Sequence, residues 1–161
     1  MFTPLKRHSC RLLAAAGIIA SLPACLKSPK RVTLDLVLFN YLNRPIFEVL
    51  IDGKDSGVSS PYPNTGGGTI SGVTLELGPK IVHWRLDGPE SMPRNGDRVN
   101  ATNAPTLSSV PDGACFLAVH IYPDYTVELI PTVHYPQETD KGLEMQKEYR
   151  RRGHPDTSPM L

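Results

Sequence analysis

The sequence predicts a mostly β protein, an antiparallel β-sandwich of about six to seven strands with at most one short C-terminal helix. Three observations lead there. The 161 residues include 16 prolines and 13 glycines, punctuation that favours strands and turns over long helices. Apolar residues alternate with polar ones in six separate stretches, which is the period of a half-buried strand. Only one stretch, Leu143 to Arg152, can form a helix, and it lies in the polar end of the chain.

The strands follow in order. Val32 to Phe39 places Val32, Leu34, Leu36 and Leu38 on one face, and Val37 and Phe39 add apolar surface to the other. Asn40 to Pro45 turns the chain. Ile46 to Asp52 puts Phe47, Val49 and Ile51 on the core side, so the first two strands read as an antiparallel pair. Asp52-Gly53 and Ser56-Gly57 are turn signals. Ser59 to Gly68 has no apolar period and reads as a Pro- and Gly-rich loop. Its Gly66-Gly67-Gly68 run reads as a flexible turn where backbones approach closely. A phosphate cradle would need a following helix, whereas Thr69 to Leu77 reads as strand. Ile81 to Leu86 turns Val82, Trp84 and Leu86 inward and His83 and Arg85 outward. Asp87 to Ala114 is the longest irregular stretch. Cys115 to Tyr122 and Tyr125 to Val133 form a second antiparallel pair, with Pro131 marking an edge or a bulge. His134-Tyr135-Pro136 ends the folded part, and Gln137 onward reads as a solvated tail.

The N-terminus carries an address. Lys6, Arg7 and Arg11 precede an uninterrupted small and apolar run to Leu22, and Pro23-Ala24-Cys25 closes it. A charged start, a short apolar middle and a small residue before the cut is the layout of a secretory signal. Leu22-Pro23-Ala24-Cys25 resembles the lipobox of bacterial lipoproteins, with Pro23 in place of the commonest residue. That resemblance implies diacylated Cys25 as the first mature residue, on the outer side of the inner membrane or sorted onward. Leu26, Lys27 and Ser28 leave the choice of membrane open. The expected layout is 1–24 signal peptide, 25–31 lipidated tether, 32–136 sandwich and 137–161 polar tail.

Charge and chemistry narrow the function. Residues 1–24 hold three Lys or Arg and no acid, so the remainder has 14 basic and 16 acidic side chains, net −2. Binding to nucleic acid is not suggested by that balance. Cys115 is the one thiol left after removal of Cys10 and acylation of Cys25, so no intrachain disulfide forms in the mature chain. Its parity with Leu117 and Val119 predicts a buried small hydrophobe. The histidines His83, His120, His134 and His154 are scattered, and no metal or cofactor site is expected. No hydrolase signature, Walker loop or His-x-Lys box occurs. The inventory favours binding over catalysis.

The run Phe39-Asn40-Tyr41, Arg44-Pro45-Ile46, Asp52-Gly53, Gly66-Gly67-Gly68, Val82-His83-Trp84, Tyr122-Pro123-Asp124 and His134-Tyr135-Pro136 is similar to a family of small bacterial envelope lipoproteins. The similarity spans roughly residues 32–136. The family often carries cysteines after the glycine run, where this chain has Ser71 to Thr74. Members resemble immunity proteins to phospholipase D-class effectors of type VI secretion. The resemblance implies a periplasmic inhibitor, monomeric or 1:1 with its phospholipase partner and held to the membrane by its lipid. The alternative is an envelope assembly or structural lipoprotein. Contact is expected from Ser59–Gly68 and Asp87–Asp112, through Tyr62, Asn64, Asp97 and Asp112.

Overall fold

The computed structural model describes residues 30–152, so Cys25 and the whole signal segment lie outside the described residues. Two four-stranded sheets and one helix build three layers. The first sheet has the order β10-β9-β1-β4, from Arg31–Asn40 (β1), Thr69–Glu76 (β4), Phe116–Ile121 (β9) and Val127–Thr132 (β10). The second has the order β3-β2-β6-β7, from Ile46–Ile51 (β2), Lys54–Asp55 (β3), Val82–Leu86 (β6) and Arg98–Asn100 (β7). Gly78–Pro79 (β5) and Thr106–Leu107 (β8) form a small third ladder. The six stretches read from alternation are the six strands of five or more residues, and the mostly β sandwich is the observed fold.

The core lies between the two large sheets. Leu34, Leu36, Leu38, Leu75, Leu117, Val119 and Ile121 from the first meet Val49, Ile51, Val82, Trp84 and Leu86 from the second, all buried. Each such side chain, fully buried, contributes about 1.5–3 kcal/mol by leaving water. Trp84 fills the core with no exposure, edge-on to the Tyr125 ring at 5.6 Å.

The expected pairing of the first two strands does not occur: β1 and β2 belong to different sheets. Asn40 makes the corner. Its Oδ1 accepts from the Leu42 amide at 2.9 Å and its Nδ2 donates to the Arg44 carbonyl at 2.8 Å. Leu42 thereby drops into the sandwich core while Tyr41 turns to the opposite face. The partner β1 takes instead is β9, in parallel, with Leu36 opposite Leu117. The expected antiparallel pair β9–β10 is present, and Pro131 sits on the edge strand β10.

Three further expectations are corrected. Phe47 is not in the core: a register shift between Ile46 and Glu48 turns Ile46 inward and leaves Phe47 52% exposed under the Arg85 guanidinium. Cys115 is exposed: it lies one residue before β9, still hydrogen-bonded to Thr132 and Asp35 at the end of the sheet, and its Sγ meets the Gly113 carbonyl at 3.5 Å. The stretch 87–114 is not one loop, since β7 and β8 divide it.

The last layer is the helix Asp140–Arg151 (α1). Thr139 caps it, its Oγ1 accepting from the Gly142 amide at 3.1 Å, with Asp140 in the first turn and Arg150 and Arg151 in the last, as the helix dipole favours. The segment read as a solvated tail therefore packs onto the outer face of the first sheet. There Leu143 and Met145 meet the cluster of Val37, Phe39, Tyr41, Ala118 and Tyr122. Gly142 makes the approach possible. A glycine inside a helix costs about 1 kcal/mol against alanine, yet any Cβ here would overlap the Tyr41 ring. Gly142→Val is expected to push α1 off the sheet and lower stability by about 1–3 kcal/mol, as overpacking does. Urea unfolding of variant and wild type measures it, and an unchanged midpoint contradicts the close contact.

Candidate functional site

One end of the sandwich gathers most of the irregular chain. It is the end where β1 and β9 finish and β2 begins. The loop 59–68 is fastened there by its own polar side chains. Ser59 exchanges backbone hydrogen bonds with Ile46, and the Tyr62 amide donates to the Asn40 carbonyl at 3.0 Å. Thr65, buried, accepts from the Asn40 amide at 2.6 Å. The Gly66 amide donates to the Leu38 carbonyl at 3.0 Å. Gly66 has φ +73°, and a Cβ on it would lie 2.7 Å from the Phe39 ring, so the close backbone approach expected of the glycine run is found at this residue.

Two arginines extend the scaffold. Arg44 is 1% exposed, and it donates from Nε to the Asp87 carbonyl at 3.0 Å and from Nη1 to the Pro93 carbonyl at 2.7 Å. It thereby holds the β6–β7 connection against the corner at Asn40. Arg150 of α1 donates from Nε to Asn43 Oδ1 at 3.1 Å and from Nη2 to the Tyr62 carbonyl at 2.8 Å. The helix, the corner and the 59–68 loop are thus one tied assembly.

The expected contact residues separate into two groups. Tyr62, half-buried, and Asn64, exposed, lie at this end. Asp97 lies there too, exposed and paired with Arg94 at 3.0 Å, and its carbonyl accepts from the Leu86 amide. Asp112 is at the other end of the sandwich, in the connection that enters β9, whose Cys115 carbonyl accepts from the Asp35 amide. It does not share a surface with the other three.

A groove of about 600 Å³ opens between the β9–β10 turn and the C-terminal half of α1. Pro123, Met145 and Tyr149 give it an apolar lining, and Asp124, Glu144, Glu148 and Arg152 give it charge. The turn is rigidly made: Asp124 Oδ1 accepts from the Thr126 amide at 3.0 Å and its hydroxyl at 2.7 Å. Glu148 is held by Arg151 and by Arg152 at 2.8 Å, which keeps its carboxyl below the usual range. These groove residues were missed at the sequence level. The available signal was the four-residue spacing of Met145 and Tyr149, and of Glu144 and Glu148, on one predicted helix.

Beneath α1 lies a second polar group. His120, 1% exposed, stacks on Phe39 at 4.7 Å, and its Nδ1 is 3.1 Å from the Tyr41 hydroxyl. That hydroxyl also accepts from the Thr139 amide at 2.8 Å and lies 3.5 Å from the Thr139 hydroxyl. Burial pulls the His120 pKa down to about 4, Glu128 opposing and Lys141 assisting. Burial pushes both Tyr41 and Tyr122 up. Tyr122 donates to Glu128 at 2.7 Å under the Lys141 ammonium, 4.1 Å above its ring. These three side chains lie beneath α1, and the cluster seats the helix.

Among the described residues, no group of three or more His, Cys, Asp or Glu could hold a metal ion. No helix among them is long and apolar enough to cross a membrane. Comparison with known proteins returns no matching family model and no matching curated protein.

Proposed function

We propose that the chain is a periplasmic, lipid-anchored immunity protein that binds and blocks a secreted phospholipase of the phospholipase D class. The observation that carries this is the groove beside α1, where Asp124, Glu144 and Glu148 surround an apolar lining of Met145 and Tyr149. An enzyme that grips lipid phosphates presents basic side chains around its cleft; Glu144 and Glu148 are paired with Lys147, Arg151 and Arg152, so Asp124 is the groove carboxylate left to meet them among the described residues. Residues 31–137 hold seven basic and 11 acidic side chains, net −4, while 138–152, which include α1, hold five basic and four acidic. Tyr149 and the half-buried Tyr62 supply the aromatic surface that dominates binding energy in such contacts. The tied loops offer a preformed surface, which lowers the ordering cost of association.

The test is lipid hydrolysis by a candidate effector with and without the chain from Cys25 onward. Saturating protein is expected to abolish hydrolysis and to form a 1:1 complex. Asp124→Lys with Glu144→Lys is expected to slow association about tenfold or more, because rim charges act mainly on the on-rate. Unchanged hydrolysis together with no complex overturns the proposal and leaves an envelope assembly role as the alternative.

A further inference from the structure

We propose that the end of the sandwich where β1 begins rests on phospholipid headgroups, with Ile81 entering the interface between Lys30, Arg31 and Lys54. This rests on the lipid-anchor reading above and adds an orientation to it. Ile81 is 71% exposed, more than any other large hydrophobic among the described residues. It sits in the short link between β5 and β6, held there by its amide, which donates to Asp52 Oδ1 at 2.9 Å, and by its carbonyl, which accepts from the Asp52 amide at 2.8 Å. Asp52 and Gly53 form the tight turn from β2 into β3, both with positive φ, and this brings Lys54 alongside. Arg31 and Lys54 line one shallow groove of about 320 Å³ with Asp52 and Glu76.

The charges at this end are sorted. Arg31 pairs with Glu76 at 2.9 Å, and the buried Lys80 pairs with Asp52 at 2.8 Å. Asp55 Oδ1 accepts from the Gly57 amide at 2.9 Å. Among the described residues Lys30 and Lys54 have no ion-pair partner, and both are exposed. An exposed aliphatic side chain flanked by two uncommitted ammonium groups is chemistry suited to an anionic lipid interface.

The length of chain between anchor and fold supplies the second argument. Four residues, five residue-to-residue steps, separate Cys25 from Lys30, and fully extended those steps span about 17 Å. The Lys30 carbonyl already accepts from the Leu77 amide at 2.8 Å, so the sandwich begins at once. β1 alone then runs ten residues, about 33 Å, to the far end. An acyl anchor at Cys25 therefore keeps the Ile81 end near the bilayer, while the corner at Asn40, with the 59–68 loop tied to it, lies the length of β1 further out. The lipid surface takes the Ile81 end, and that corner is presented away from it. Asp112, at the membrane end, is then excluded from the partner contact.

The orientation can be tested apart from native acylation. The chain from Cys25 onward, carrying Cys115→Ser, is isotopically labelled and coupled through the Cys25 thiol to a maleimide lipid. The lipid sits in nanodiscs containing phosphatidylglycerol and a gadolinium headgroup lipid. Amide signals of Arg31, Lys54 and Ile81 are expected to broaden several-fold more than those of Asn64 and Asp97. In Ile81→Ser with Lys54→Glu the difference is expected to shrink or vanish while the spectrum stays folded. Equal broadening at both ends, or stronger broadening at Asn64, overturns the orientation. Mass spectrometry of Cys25 from native membranes separately tests the anchor, and an unmodified Cys25 there overturns the anchor whatever the nanodiscs show.

Discussion

Trp84→Ala is expected to lower the unfolding free energy by about 3–5 kcal/mol, the largest effect of any single truncation in this core. The indole is fully buried in the middle strand pair of the second sheet, opposite Val49 on β2 and Val99 on β7, with the Tyr125 ring edge-on. Its loss removes apolar area from both sheets at once and leaves a cavity that the surrounding strands cannot collapse to fill. A second variant separates packing from hydrogen bonding. Trp84 Nε1 is buried without a partner, and an unpaired donor of this kind costs about 1–3 kcal/mol. Trp84→Phe removes that donor while keeping most of the ring volume, so its cost is expected to be well below that of the alanine variant. Urea unfolding at neutral pH, with unchanged slope, reads both. A Trp84→Ala cost under about 1 kcal/mol would remove the indole from its place at the centre of the core.

Acidification is expected to destabilise the fold by up to about 3 kcal/mol between pH 7 and pH 4 through His120 alone. The imidazole is held neutral, with its pKa pulled down to about 4 from an ordinary 6.5. The unfolded chain therefore binds the proton first. Stability from this group is fully present above pH 6.5, falls as the pH drops from there, and has been lost by about pH 4. The groups that face it come from four elements: Tyr41 after β1, Tyr122 after β9, Glu128 on β10 and Lys141 on α1. Protonation would also oblige Nδ1 to donate toward the Tyr41 hydroxyl, which already accepts from the Thr139 amide at the helix cap. Denaturation at pH 7, 5.5 and 4 should show the slope in wild type and a flatter one in His120→Phe. Parallel pH profiles for the two proteins would be inconsistent with a buried neutral histidine.

The strands were legible because alternation is a local property. Leu34, Leu36 and Leu38, or Val82, Trp84 and Leu86, declare their face within five residues. Partners are not local, and nothing within β1 and β2 shows that Asn40 folds its own side chain back to end one sheet and start the other. A subtler sign was present. β1 carries Val37 and Phe39 on its second face, and β9 carries Ala118 and His120 on its own, with Tyr122 just beyond its end; strands apolar on both sides are covered on both sides, as parallel pairs usually are. A short helix from Leu143 to Arg152 was expected, but its packing against the sheet escaped because its most buried residues are Gly142 and Gln146, neither of them apolar in the usual sense. Tyr62 and Asn64 lie in the 59–68 loop as read, while Glu144, Met145, Glu148, Tyr149 and Arg152 of the groove lie in a segment whose polarity had consigned it to solvent.

The parallel pairing of β1 with β9 sets the order in which the molecule can be completed. Leu36 and Leu117 lie opposite one another although 80 residues separate them, and β1 is an inner strand with neighbours on both sides. As the polypeptide grows from its N-terminus, β1 is made first, can find β4 early, and then waits with one bare edge until β9 has been made. Ladders of such long sequence separation close slowly, on the scale of milliseconds to seconds for β-rich domains. Throughout that interval Leu34, Leu36 and Leu38 face outward beside an unsatisfied row of amides and carbonyls. A second copy of β9 from a neighbouring chain would fit that edge as well as the chain's own. The nascent protein is thus most exposed to strand exchange and aggregation before residue 121 is synthesised, and a chaperone that shields β1 would act in that window.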